Sequence, residues 1–219
     1  MITHKQTQTK TERKMEKHFK LTEETIVNKA GHTLHRIEAT RDTRHAKAGE
    51  KGGFVEKESN LADEAWVADD ARVWGEARLY GYSYAGGQAC IYDKARMHSQ
   101  ARAEGEAQIY GRSELGGTVR VTDNAHVFGD TKLVGSVRIG EDAFVGHTRG
   151  YCSLLNLGRP NQQTTAYRAA DGSVRIAFGE DVYPIDRVNK AVVRAFNGNE
   201  DYRMYQAVID LIKLKFNLA

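Results

Sequence analysis

From Val55 to Val145 an apolar residue recurs every six positions. The series runs Val55, Leu61, Val67, Val73, Leu79, Ala85, Ile91, Met97, Ala103, Ile109, Leu115, Val121, Val127, Leu133, Ile139 and Val145, with no insertion. A second series lies two residues earlier, from Gly53 through Ala65, Ala71, Ala77 and Ser83 to Val137 and Ala143, and no member is larger than valine. Two residues after the apolar position Gly or Asp dominates, as at Asp63, Gly75, Gly81, Asp93, Gly111 and Asp123. A period of six fits neither a helix nor a plain strand. It fits a short strand followed by a tight turn. The aliphatic then points inward and its two neighbours point outward. The small residue sits where the backbone crowds inward at a corner, and Gly or Asp accepts the turn dihedrals. Three sides of six make a coil of eighteen residues. Successive coils stack about 4.8 Å apart as parallel strands, so about five of them form a prism roughly 25 Å long.

Outside the repeat the pattern changes. Ile26-Val27 and Leu34…Ile37 flank Lys29-Ala30-Gly31, which predicts a hairpin. Residues 21–52 are therefore expected to cap the first coil, because an open coil exposes strand edges and apolar core. After the repeat at 53–148, residues 149–219 predict two strands, 166–168 and 174–178, around Ala169-Ala170-Asp171-Gly172. Val188, Val192, Ala195 and Phe196 follow helical spacing behind Asp186, a candidate N-cap, with a stop at Asn197-Gly198. A second helix carries Met204, Tyr205, Val208, Ile209, Ile212 and Phe216. The pair is expected either to fold on its own strands and dock on the last coil, or to form a partner-binding lobe.

These features resemble the left-handed parallel β-helix of hexapeptide-repeat proteins, and Ile139-Gly140-Glu141-Asp142-Ala143-Phe144 matches that repeat most closely. Handedness follows from the resemblance alone, and it departs from the usual right-handed crossover. The leading segment HFKLTEETIVNKAGHTLHRIEATRD, the hairpin TTAYRAADGSVRIAFG and the final helical pair are similar to the flanks of hexapeptide-repeat proteins of phages and prophages, often labelled transferases. One departure is Gly179-Glu180-Asp181, where such proteins carry Gly-Cys-Phe, so no role of that cysteine transfers. The resemblance implies a mainly β protein, a homotrimer, and residence in a bacterial host cytoplasm or in a virion. Fold alone does not supply function.

Composition adds a few limits. The chain has 219 residues, a net charge of +3, 21 Gly and two Pro. No run of about 18 apolar residues occurs, which predicts no membrane span. The first twenty residues lack the apolar core of a secretory signal. They hold six Lys or Arg against two Glu, a local charge of +4 that leaves −1 for the rest. A basic flexible tail over 1–20 is expected, able to touch nucleic acid or an acidic partner. Cys90 and Cys152 make neither a disulfide framework nor a zinc site and fit a reducing cytoplasm.

Stepping by eighteen stacks the outward side chains. Trp74, Tyr92, Tyr110 and Phe128 form one column, with Phe144 nearby. Another subunit or the C-terminal helices would cover it; bare, it would be a platform for planar ligands. Trp66, Tyr84, Arg102, Arg120 and Arg138 form a second column. Its three arginines are anion-binding candidates for phosphate or an acidic partner, with Glu104 placed to offset their repulsion. Inside, Ala85 and Ala103 thin one core column and Met97 is placed to fill the gap.

Enzymes of the resembled fold are mainly acyltransferases that use a histidine base near a subunit boundary. The catalytic candidates are His98, His126 and His147. The repeat puts them on different sides and at a corner, so no metal site is expected within one chain. The unbroken hexads extrude no loop for an acceptor pocket. No phosphate loop or serine elbow occurs, and Gly86-Gly87 and Gly116-Gly117 read as corners. The leading expectation is a non-catalytic trimeric scaffold, phage-encoded and without cofactor, presenting a surface to a host or virion protein, including a defence protein. The alternatives are a CoA-dependent acyltransferase using acetyl-CoA, and nucleic-acid or nucleotide binding through residues 1–20 and the arginine column.

Overall fold

The computed structural model describes residues 17–155, 163–179, 181–196 and 200–218. From Trp66 to Val145 the chain is a parallel β-helix, five rungs deep on one side. Each hexad gives a two-residue strand such as Arg102–Ala103, whose second residue is buried. Strands on one side pair in parallel with the strand eighteen residues on, Trp66 with Tyr84, Tyr84 with Arg102, Arg102 with Arg120 and Arg120 with Arg138. Backbone hydrogen bonds advance coil by coil, for example from Arg102 N to Val119 O at 2.8 Å and from Glu104 N to Val121 O at 2.9 Å. The three inward columns all join one buried core. One runs Val73, Ile91, Ile109, Val127, Val145; the next Leu79, Met97, Leu115, Leu133; the third Val67, Ala85, Ala103, Val121, Ile139. That is the register the repeat predicts.

The corners show why Asp alternates with Gly. Asp63, Asp69, Asp93 and Asp123 adopt positive φ, as the corner glycines do. Their carboxylates accept the backbone N–H of Gly81, Gly87, Gly111 and Glu141, one coil on, at 2.8–3.1 Å. Aspartate therefore pins each corner to the next and satisfies an amide the turn leaves open. Gly117 shows the other solution. Its φ is +80°, and an added Cβ would lie 2.6 Å from the Gly135 carbonyl oxygen.

Both ends are closed. Phe19–Val27 and Thr33–Ala39 make the predicted hairpin. A third strand, Lys51–Val55, pairs antiparallel with the second and parallel with Arg72–Val73, so the cap extends one side of the prism and covers its edge. Leu34 and Ile37 are buried there, whereas Val27 is exposed. Residues 17–20 belong to the cap: Lys17 pairs with Glu58, His18 is buried with Nε2 2.7 Å from the Ala65 carbonyl, and Phe19 opens the first strand. Residues 1–16, most of the expected basic tail, lie outside the described residues.

The C-terminal sheet has four antiparallel strands, Tyr151–Leu155, Gln163–Arg168, Val174–Phe178 and Asp181–Pro184, where two were predicted. The outer pair carries no alternating apolar pattern. Helices Ile185–Phe196 and Glu200–Phe216 follow. The first begins one residue before Asp186, so that aspartate lies within the first turn instead of capping it. The predicted stop at Asn197-Gly198 lies outside the described residues. Val188, Val192, Tyr205, Ile209 and Ile212 pack with Ile176 and Phe178 in a second core, so the helices fold onto their own sheet. Gln163–Arg168 lies against the last coil, and Tyr167, buried in the β-helix core, closes its end. Among the described residues no helix is long and apolar enough to cross a membrane.

Candidate functional site

Trp74, Tyr92, Tyr110 and Phe128 form one continuous stack. Ring centroids are 4.5, 4.9 and 5.2 Å apart, with interplanar angles of 2°, 3° and 9°. The coil spacing of about 4.8 Å already sets the rings at contact distance. The next position in the column is Gly146, where a Cβ would lie 2.7 Å from the Phe128 ring. Phe144 belongs to the neighbouring column, in register with His126, yet its ring leans onto Phe128 at 4.5 Å and 56°. All five predicted rings therefore come together. The C-terminal helices pack elsewhere; the four stacked rings are half-buried and Phe144 is 45% exposed. The faces of Tyr92 and Tyr110 are taken by neighbouring rings, whereas Trp74 at the head of the stack has one ring neighbour and lines an open recess with His32, Lys94 and Arg112. Burial pushes the Tyr92 phenol up to about 12, helped by Tyr110, and burial raises Tyr110 too. The rings thus form a neutral strip.

The second predicted column is divided. Trp66 is buried under the N-terminal cap, beside His18 and against Gly52. Tyr84 lies over Gly86, where a Cβ would sit 2.7 Å from the ring, and Arg102 lies over Tyr84 at 4.4 Å. Arg102 also donates from Nε and Nη2 to Glu104, at 3.3 and 3.0 Å, so Glu104 offsets one arginine as expected. Arg120 is exposed. The backbone N–H of Arg138 meets Thr165 Oγ1 at 3.4 Å, where the C-terminal sheet closes the column.

Arg102 and Arg120, without Arg138, face a recess of about 280 Å³. Arg44 and His45 complete it from the loop between the second and third cap strands, and Tyr82, Gln100 and Thr118 complete it from the coil corners. Sequence reasoning missed these five. His45 Nε2 lies 3.0 Å from the Tyr82 carbonyl oxygen, its ring tilts against Tyr84 at 5.4 Å, and Arg44 sits over the Tyr82 ring at 5.1 Å. Burial holds His45 below the usual histidine range against the hydrogen bond to Tyr82, and Arg102 and Arg44 push it the same way as burial. The run RDTRHAK at 41–47 is the only mark of this loop in the sequence, and nothing periodic ties it to Tyr82.

The three candidate histidines stay apart. His98 stacks on Tyr80 at 5.2 Å and 17°, in a notch at Gly116, where a Cβ would lie 2.3 Å from the ring. Its Nε2 is 3.3 Å from Glu114 Oε1 and its Nδ1 is 3.1 Å from Ser99 Oγ. A hydrogen bond from Lys132 holds the Glu114 carboxyl below the usual range, and His98 adds to this. His126 lies edge-on to Tyr110 at 6.1 Å, and burial lowers its pKa. His147 is exposed before the short turn Thr148–Gly150. Gly87 and Gly117 take the corner φ as expected, whereas Gly86 and Gly116 are notches for rings. Cys90 and Cys152 are free thiols, and among the described residues no group of three or more His, Cys, Asp or Glu is placed to hold a metal. No protein-family model and no curated protein matches the chain.

Proposed function

We propose that the chain is a non-catalytic interaction scaffold: a rigid β-helix that assembles as a homotrimer and presents its remaining surface to a host or virion protein. The stacked aromatic flank carries this reading. Five rings run along one side of a straight prism, neutral and half-covered. Fully burying a ring of this size is worth roughly 1.5–3 kcal/mol, and a contiguous apolar strip marks an association surface. A straight strip fits a second prism lying alongside it, and the resemblance to hexapeptide-repeat proteins supplies the number three. The phage origin and a counter-defence role rest on the resemblance of the flanks. Native mass spectrometry of the full chain at micromolar concentration is expected to give a trimer that Tyr92→Glu converts to monomer. A monomeric wild type overturns the assembly.

One observation favours acyl transfer as the second reading. Glu114 sits 3.3 Å from His98, the arrangement by which a carboxylate orients a histidine base. Saturable micromolar binding of acetyl-CoA, lost in His98→Ala, would replace the scaffold reading with the enzymatic one.

A further inference from the structure

The recess on the arginine flank gathers three cations into one cavity. Ion pairs elsewhere are local and mutual, as in Arg112 with Asp130 and Lys132 with Glu114. Here Arg44, Arg102 and Arg120 converge on one cavity whose lining contains no Asp or Glu. Glu104 engages Arg102 from beside it. Among the described residues neither Arg44 nor Arg120 has a carboxylate within ion-pair distance. Three guanidiniums brought together repel one another, and each further positive group in a partly enclosed site adds to that repulsion. Glu104 offsets Arg102 alone, so an anion from outside would relieve the repulsion between the other two.

Two of the three arginines are also held in place before any ligand arrives. Tyr84 supports Arg102 and Tyr82 supports Arg44, each as a ring beneath a guanidinium. His45 ties the loop to the Tyr82 carbonyl, and Arg41 ties it to Glu64. Two of the coil residues stand on adjacent rungs, Arg102 beside Arg120, while Arg44 approaches from the cap. Neutral groups complete the lining, the Gln100 amide and the Thr118 hydroxyl, which also meets Ser136 Oγ at 2.8 Å and is free to turn its proton to a ligand only when Ser136 donates. Planar forks of donors converging with a hydroxyl and an amide suit a tetrahedral oxyanion with several acceptor oxygens better than a single carboxylate. The recess, about 280 Å³, is at the small end of ligand cavities.

We propose that Arg44, Arg102, Arg120, Gln100 and Thr118 form a binding site for a phosphoryl group, carried either by free phosphate or by the terminal phosphate of a small phosphoester. The site lies on a different side of the prism from the aromatic flank. A polymer of phosphates is the rival occupant. It would follow the arginine column along the prism, but that column is closed by the cap at Trp66 and by the C-terminal sheet at Arg138.

Calorimetric titration of the full chain at low salt with inorganic phosphate, pyrophosphate and AMP tests the site. One ligand per chain is expected, with Kd in the micromolar to sub-millimolar range. Arg44→Gln and Arg120→Gln are each expected to weaken it at least tenfold, and Arg96→Gln, on another side of the prism, to leave it unchanged. Tighter binding of inorganic phosphate than of AMP assigns the site to the free ion, and the reverse order assigns it to a phosphoester; both support it. Thermal unfolding guards against misfolded variants, because phosphate should raise the wild-type midpoint and leave that of Arg120→Gln in place. The proposal is overturned if no probe binds saturably. It is equally overturned if Arg96→Gln weakens binding as much as Arg120→Gln does. A single-stranded oligonucleotide that binds far more tightly than pyrophosphate, and loses that affinity when residues 1–16 are removed, would assign the surface to nucleic acid instead.

Discussion

The aromatic and arginine flanks hang on one coil register with one spacing, yet the spacing acts on them in opposite ways. Rings set about 4.8 Å apart are at van der Waals contact and attract. Guanidiniums set at the same distance repel. The aromatic column therefore satisfies itself, with Trp74, Tyr92, Tyr110 and Phe128 nearly parallel. The arginine column does not: Arg102 rests on Tyr84 below it and pairs with Glu104 beside it, while Arg120 shares its recess with a further cation, Arg44. A repeat thus fixes where side chains stand, and their chemistry decides whether the repetition is a gain or a demand on something outside. The contrast reaches inward. Ile91 and Ile109 stand behind Tyr92 and Tyr110, whereas Ala85 and Ala103 stand behind Tyr84 and Arg102.

The largest expected effect breaks the core both flanks share. Met97 is fully buried in that core, in the column beside the one that Ala85 and Ala103 thin. Met97→Ala should open a cavity and destabilise by about 2–5 kcal/mol, read from the denaturant midpoint. An unchanged midpoint would mean that the two flanks are not supported by a single packed interior.

A pair of substitutions then sets the flanks directly against each other. Tyr110 has a ring on each face, so Tyr110→Ala removes two stacking contacts as well as part of a buried surface, and about 2–4 kcal/mol should be lost. Arg120 stands between Arg102 and Arg138. Arg120→Gln relieves like-charge repulsion and should raise stability, by up to about 1 kcal/mol at low salt and less at high salt. Urea titrations at two ionic strengths check both. Loss of stability in Arg120→Gln without any added anion would show that the arginine column holds itself together, and the contrast would fail.

Much of this was legible because the period of six is imposed by coil geometry. Once Val73 and Ile91 are known to point inward, Trp74 and Tyr92 must share a column, and both core and flanks follow by counting. What crosses between unlike segments was not legible. His45 reaches Tyr82 across 37 residues and His18 reaches Ala65 across 47, contacts that no periodic signal announces. The arginine flank was accordingly half-read: Arg102 and Arg120 come from the repeat, Arg44 and His45 from a loop. Gly86 and Gly116 have a second role that counting does not show, for a related reason. A corner is a local matter of dihedrals, but a notch depends on the ring that fills it. For Gly116 that ring is His98, one coil away.

The smallest expected effect concerns charge at high pH. Burial, then Tyr110 and Asp93, pushes the Tyr92 phenol from 10.0 up to about 12. The unfolded chain releases this proton near 10 while the folded chain still holds it, so unfolding gains from ionisation above that pH. The contribution of the neutral phenol is complete below pH 10 and is lost as pH rises towards about 12. Burial, then Asp69 and Glu104, also raises the phenol of Tyr84 on the arginine flank, and there the Arg102 guanidinium pulls the other way. In stability measured against pH across this window, Tyr92→Phe should flatten the alkaline decline more than Tyr84→Phe does. Equal flattening would mean that a ring between rings and a ring beneath a guanidinium sit in the same electrostatic environment, and the two flanks would then differ in composition alone.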